Sequence, residues 1–351
     1  MNSKIDRSKA RYESERERLI HALGLVVEGG ILDTIQHVGA TSVPDLYGSP
    51  CVDIGLAVWP FPLEQGPRSW LEMSGYQIVS GYEESPEQRF LHESNCFQLI
   101  FVEHGSERWS DLILTRDYLC HDRAAREKIS HQKKNPLLEK PQLFKNLLPE
   151  THQWWIDHYQ FSPVESVANE LKGVSFPWYI SSGWALDLYR GQISRVHHDV
   201  DVAVPWSSQM ELQKHMMERG WKFVTPFEKR LEVWPPYMQL EWPRHQIHAH
   251  REDEFIDFLL TEMDGVWKYR REPSIIQSLG KISLRTETGI PYLAPELVLL
   301  FKSKNTSGQE RPKDELDFES VLPHLDVERR AWLRWALIAT SPEHPWIPRL
   351  A

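Results

Sequence analysis

The chain has 351 residues, 41% hydrophobic and 26% charged, which is globular composition with length enough for two domains. No apolar run reaches the roughly 18–20 residues of a membrane span, and the polar N-terminus lacks the apolar core of a secretory signal, so cytoplasmic residence is the expectation. A formal net charge of -10 weighs against a nucleic-acid partner and leaves room for a cationic one, and three cysteines without CxxC spacing read as small core residues rather than a disulfide framework.

Helical spacing of Leu19, Ile20, Leu23 and Val26 predicts a first helix from Lys9 to about Glu28, ended by Gly29-Gly30. The turn-rich His37–Ser42 stretch follows, and Cys51–Val58 reads as a buried strand. Helices are expected over Asp111 to about Lys134 and over Pro149–Tyr159. The second half repeats the theme: a short strand Trp178–Ser182, a short helix Gly183–Tyr189 closed by Gly191, and a strand Val200–Val204. Ser208 and Glu211 form a predicted capping box for a helix stopping at Gly220. Phe255–Leu260 is a further strand, and the chain is helical from Ala294, with Pro295 in a first turn.

The chemistry-bearing set is Ser181-Ser182-Gly183-Trp184 followed by Asp199-Val200-Asp201. Residues i and i+2 of a strand point the same way, so Asp199 and Asp201 are expected to project together. Paired carboxylates raise each other's pKa, and a divalent cation such as magnesium relieves the repulsion. Asp257 interrupts an apolar strand, where an unpartnered carboxylate is costly. As a third ligand it would complete a two-metal site. A helix starting at Gly183 offers backbone N–H groups and a positive dipole end to an anion.

This ordered set resembles the DNA polymerase β-type nucleotidyltransferase superfamily. Gly183–Asp187, His198–Val204, Trp267–Arg271 and Tyr292–Lys304 are similar to small aminoglycoside and lincosamide nucleotidyltransferases, over about residues 170–345. His37–Pro44, Asp53-Ile54-Gly55 and Arg116–Leu119 resemble the GrpB family, a branch of the same superfamily, over about residues 10–160. That family usually carries Asp-x-Asp where this chain has Asp53-Ile54-Gly55, and tends to carry histidines where it has Gln98 and Ile100. The implied architecture is α+β: two nucleotidyltransferase-like domains, residues 1–162 and 163–351, each a small mixed sheet flanked by helices. The second has a C-terminal helical part and is the catalytic one; the first lacks metal chemistry.

The resemblance implies transfer of a nucleoside monophosphate, AMP from ATP, to a small-molecule hydroxyl, with magnesium or manganese as cofactor. Asp199 and Asp201 would hold both metals and Asp257 one metal and the acceptor proton. Ser182, Gly183, Lys302 and Lys304 would meet the triphosphate. The rival readings are a non-catalytic nucleotide sensor and a nucleotidyl modifier of a protein or tRNA. Bland readings stand beside several residues. Lys302 and Lys304 fit a solvated helix face, and Arg270 and Arg271 fit ordinary ion pairing. His245, His248 and His250 lack zinc-like spacing. Arg116 and Asp117 form an expected internal ion pair, and Asp53 is structural.

Overall fold

The apolar strands Val52–Val58 and Glu254–Thr261 lie in two separate mixed sheets. The computed structural model describes residues 3–24, 35–82, 85–132, 140–228, 230–251, 254–303 and 311–351. They divide into two units: residues 1–158 with 224–233, and residues 159–223 with 234–351.

The first unit opens with α1 (Ser3–Gly24), β1 (Ile35–Val38) and β2 (Val52–Val58). Then come α2 (Gln65–Met73), β3 (Gln77–Ile78), β4 (Glu87–His92), β5 (Phe97–Glu103), α3 (Glu107–His121), α4 (Arg123–Gln132) and α5 (Lys140–Tyr159). The sheet order is β1-β2-β5-β4-β3, with β2 and β5 parallel and the other neighbours antiparallel. Alternate residues of β2 go to opposite faces. Val52, Ile54, Leu56 and Val58 join a core with Leu19, Leu71, Phe90 and Phe101. Ala57 packs with Val38, Ile100 and Val102 under α3. Both faces are covered, which is why the strand reads as one apolar run. Each large side chain buried here contributes about 1.5–3 kcal/mol.

Two expectations change in this unit. The helical stretch from Asp111 is two helices, because Asp122 leaves helical geometry and its carboxylate accepts from the Ala125 N–H at 2.8 Å, starting α4. Gly29-Gly30 and Lys134 lie outside the described residues. Cys51 and Cys96 are a disulfide, not separate core thiols. They precede β2 and β5, whose register pairs Val52 with Phe97, so strand adjacency brings them together.

The second unit continues with α6 (Ser162–Glu170), β6 (Tyr179–Ile180), α7 (Ser182–Arg190), β7 (Asp201–Pro205) and α8 (Gln209–Met217). In chain order the hairpin β8 (Lys222–Phe227) and β9 (Arg230–Val233) comes next, its residues 224–233 counted with the first unit, and the second unit resumes with β10 (Gln246–Arg251), β11 (Glu254–Thr261), β12 (Val266–Lys268) and β13 (Ile276–Ser278). The unit closes with β14 (Ser283–Arg285), β15 (Pro291–Leu293), α9 (Pro295–Lys302), α10 (Pro312–Val321) and α11 (Val327–Thr340). The strand series β14-β15-β6-β7-β11-β10 is mixed, with β7 and β11 parallel. Helix α9 is apolar on every side and its Leu297–Leu300 stretch is buried throughout.

Four strands of each unit share one plan. In β1-β2-β5-β4 and in β6-β7-β11-β10 the successive pairings run antiparallel, parallel, antiparallel. The capping box at Ser208 is not formed: Ser208 makes no side-chain cap bond, and Glu211 accepts from the Ser175 N–H and hydroxyl instead. Helix α8 ends at Met217, three residues before Gly220.

Candidate active site

The parallel pairing of β7 and β11 places Asp201 directly beside Asp257. Adjacent residues in register share a sheet face, so both carboxylates leave the same side. Asp199 lies just ahead of β7, outside the strand, so its approach is set by the loop and not by strand alternation. The Trp184 indole N–H donates to the Asp199 carbonyl at 2.9 Å, and the Asp257 N–H donates to the Val200 carbonyl at 3.1 Å. One carboxylate oxygen from each of Asp199, Asp201 and Asp257 lies within 4.8 Å of the other two.

The electrostatics of this triad are unfavourable without a cation. Burial, then the charges of Asp201 and Asp199, push the Asp257 carboxyl well above the usual range. Burial and Asp199 raise Asp201 to about 7, against a hydrogen bond from Ser182 and the charges of Lys302 and Arg195. Gln246 Nε2 donates to Asp257 Oδ2 at 2.5 Å, while Asp257 Oδ1 is buried without a hydrogen-bond partner among the described residues. Three converging carboxylates, one of them with an orphaned buried oxygen, are the donor set that a hard divalent cation takes, so the three residues fit a magnesium-type ion.

Beside the triad, α7 begins on Ser182, one residue earlier than the glycine, and Ser182 has a φ of 53°. A non-glycine residue in the left-handed region costs about 1–3 kcal/mol, strain of the kind held at functional turns. Gly183 is required by packing. A Cβ there would lie 2.4 Å from His197 Cε1 and 2.7 Å from Arg195 Nη2. Those two side chains are themselves fixed. His197 Nε2 is 2.6 Å from Asp187 Oδ2, and Asp187 also accepts from the Ser194 hydroxyl and N–H. Arg195 makes a two-pronged bond to Asp317, both arms 3.1 Å. Gly191, at φ 70°, ends the helix.

Lys302 is buried at the end of α9, with Nζ 3.0 Å from Asp314 and 2.7 Å from Asp317. It therefore belongs to an ion network, Arg195–Asp317–Lys302–Asp314–Arg311, and its charge is felt at Asp201. Lys304 lies outside the described residues. Sequence reasoning passed over Gln246, Arg195, Asp314 and Asp317 and gave Asp187 no role of its own. These four Arg and Asp residues are ordinary charged residues until tertiary structure pairs them. Gln246 announces itself only through its place on the strand beside Asp257.

Among its described residues the first unit lacks such a triad. In its parallel pair, Asp53 lies in register with Gln98 and Gly55 with Ile100, so neither position faces a carboxylate. A Cβ on Gly55 would sit 3.1 Å from the Trp109 ring, so the indole fills that space. Among the described residues of this unit alone, no three His, Cys, Asp or Glu side chains converge. Arg116 and Asp117 do pair, at 2.7 Å.

The shared strand plan and the carboxylate triad on neighbouring strands of the second unit can be set beside the family comparison. Residues 163–318 match the family Aminoglycoside-2''-adenylyltransferase, and residues 5–153 match the family GrpB protein. A UPF0157 protein of Streptomyces coelicolor is 31% identical over 134 residues, 37% of this chain; the match spans 65% of that protein's length. Among solved structures, the antibiotic-resistance factor ANT(2'')-Ia is 14% identical, covering 53% of this chain and 95% of its own, with a TM-score of 0.37. Conserved protein GrpB from Enterococcus faecalis is 19% identical, covering 40% and 92%, with a TM-score of 0.32. The chain thus carries a region that matches the GrpB family ahead of a region that matches the adenylyltransferase family. No helix among the described residues is long and apolar enough to cross a membrane.

Proposed function

We propose that the second unit, within residues 163–351, transfers AMP from ATP to a hydroxyl of a small, cation-tolerant acceptor, using magnesium or manganese held by Asp199, Asp201 and Asp257. The observation that carries this is the convergence of the three carboxylates with Asp257 Oδ1 buried and unpartnered. When bound, the cation would neutralise the triad and the developing phosphoryl charge. The acceptor oxygen attacks the α-phosphorus in line, the bond to the β-phosphoryl oxygen breaks, and pyrophosphate leaves. Asp257 takes the acceptor proton. Ser182 and the N–H groups opening α7 bind the β- and γ-phosphoryl oxygens. Lys302 adds positive charge beside them, and reaching the triphosphate requires it to exchange one of its two carboxylate partners. The first unit, within residues 1–162, takes no part in this chemistry.

The test is incubation of the full chain with labelled nucleotides, divalent cations and a panel of hydroxylated compounds, some of them aminated. Pyrophosphate release that depends on acceptor and cation, prefers ATP, and disappears in Asp199→Ala supports the proposal. Nucleotide binding without turnover under every condition refutes it in favour of a sensor. Label transferred to a protein or RNA would replace the small-molecule acceptor. Cytoplasmic residence belongs to the proposal and implies that Cys51 and Cys96 are kept as thiols in the cell; mass-tagging of thiols at lysis reads their state.

A further inference from the structure

The first unit has no acidic triad among its described residues, but it has a cavity. Its non-atom volume is about 600 Å³, counting the open mouth. One wall is apolar, with Val43, Leu46, Leu112, Leu119, Phe144 and Leu148. The other carries the guanidinium groups of Arg89, Arg108 and Arg116 together with Asp53, Gln98 and Asp111.

Arg89 and Arg108 share one buried carboxylate, Glu87, each at 2.6 Å. Arg89 also donates to Gln98, and Arg116 is held by Asp117 and Gln36. Arg108 differs: only its Nε is engaged, by Glu87, and its two terminal nitrogens hold no acceptor among the described residues. Asp111 already accepts from His152 at 2.9 Å. A half-buried guanidinium with an open fork matches an oxyanion that accepts two parallel hydrogen bonds.

We propose that this pocket binds a small organic oxyanion, a carboxylate or phosphoryl group on an apolar body, through the open fork of Arg108 and without a metal ion. Glu87 holds Arg108 from behind, so the fork is positioned before the ligand arrives and less ordering entropy is lost on binding. The body lies along the leucine and phenylalanine wall.

Calorimetric titration of the full chain in EDTA, with phenyl phosphate, benzoate and benzyl alcohol as probes, tests this. The first or second ligand should bind and the alcohol should not; which of the two binds tells phosphoryl from carboxylate recognition. Arg108→Gln should weaken binding about tenfold or more, and Arg108→Lys nearly as much, because an ammonium offers no planar fork. Leu148→Trp keeps every arginine and should block the site by volume, which guards against misfolding of the Arg108 variants. Asp201→Asn in the second unit should leave the affinity unchanged. The proposal is overturned if neither anion binds at millimolar concentration, if Arg108→Gln binds like the parent, or if Asp201→Asn abolishes the signal.

Discussion

Removing one charge from the triad should stabilise the metal-free protein and disable it at once. In Asp257→Asn, the amide replaces a carboxylate whose oxygens approach those of Asp199 and Asp201 within 4.8 Å. At an effective dielectric of about 20, two unit charges at that distance repel by roughly 3–4 kcal/mol. Partial protonation already relieves some of this, since the Asp257 pKa is strongly raised, so the realised gain is on the order of 1–3 kcal/mol near neutral pH. The new amide can still accept from Gln246 and can donate to Asp201. For a unit of this size the melting temperature in EDTA should rise by about 2–10 °C. Saturating magnesium should stabilise the parent, by about 2.7 kcal/mol at a hundred times its dissociation constant, and the variant far less. Transfer activity should fall by at least about a hundredfold. Paired thermal melts with EDTA and with magnesium, on parent and variant, provide the readout. A variant that melts lower than the parent in EDTA, or that keeps the full magnesium response, refutes the reasoning.

Other outcomes follow from the same geometry. Asp201 is raised from its ordinary 3.8 to about 7, so the folded state holds a proton that the unfolded chain releases between those values. Its contribution to stability is therefore complete below about pH 4 and lost as pH rises through 7. Melts in EDTA should decline across that window, less so with magnesium or in Asp201→Asn. Gly183→Ala must displace His197 or Arg195, each fixed by a carboxylate, and should cost about 1–3 kcal/mol by denaturant unfolding. Opening the Cys51–Cys96 bond, 45 residues apart in sequence, should destabilise the first unit by about 2–4 kcal/mol, read as a reductant-dependent shift in its melt.

What could be read from the chain was mostly what repeats locally. The Gly191 stop, the Pro295 start and the strands around Asp53, Asp201 and Asp257 are written in spacing and turn chemistry over a few residues. What could not be read depends on which strands become neighbours. Cys51 and Cys96 meet only because β2 and β5 are adjacent and parallel, and an odd cysteine count conceals the pair. Glu211 leaves its expected capping role because Ser175, distant in sequence, competes for it. Lys302 looked like a solvated or ligand-facing lysine, and two carboxylates from α10 enclose it. The loop before β7 shows both sides: Asp199 approaches Asp201 and Asp257, held by Trp184 and not by strand alternation.

The indole of Trp109 resting against Gly55 makes the divergence of the two halves hard to reverse. Restoring an acid at Gly55 would require that ring to move, and its neighbour Ile100 sits in an apolar cluster with Val38, Ala57 and Val102 that would have to accept a second acid. Each step alone is a loss, so a metal site at this position of the first unit lies beyond the reach of any single substitution.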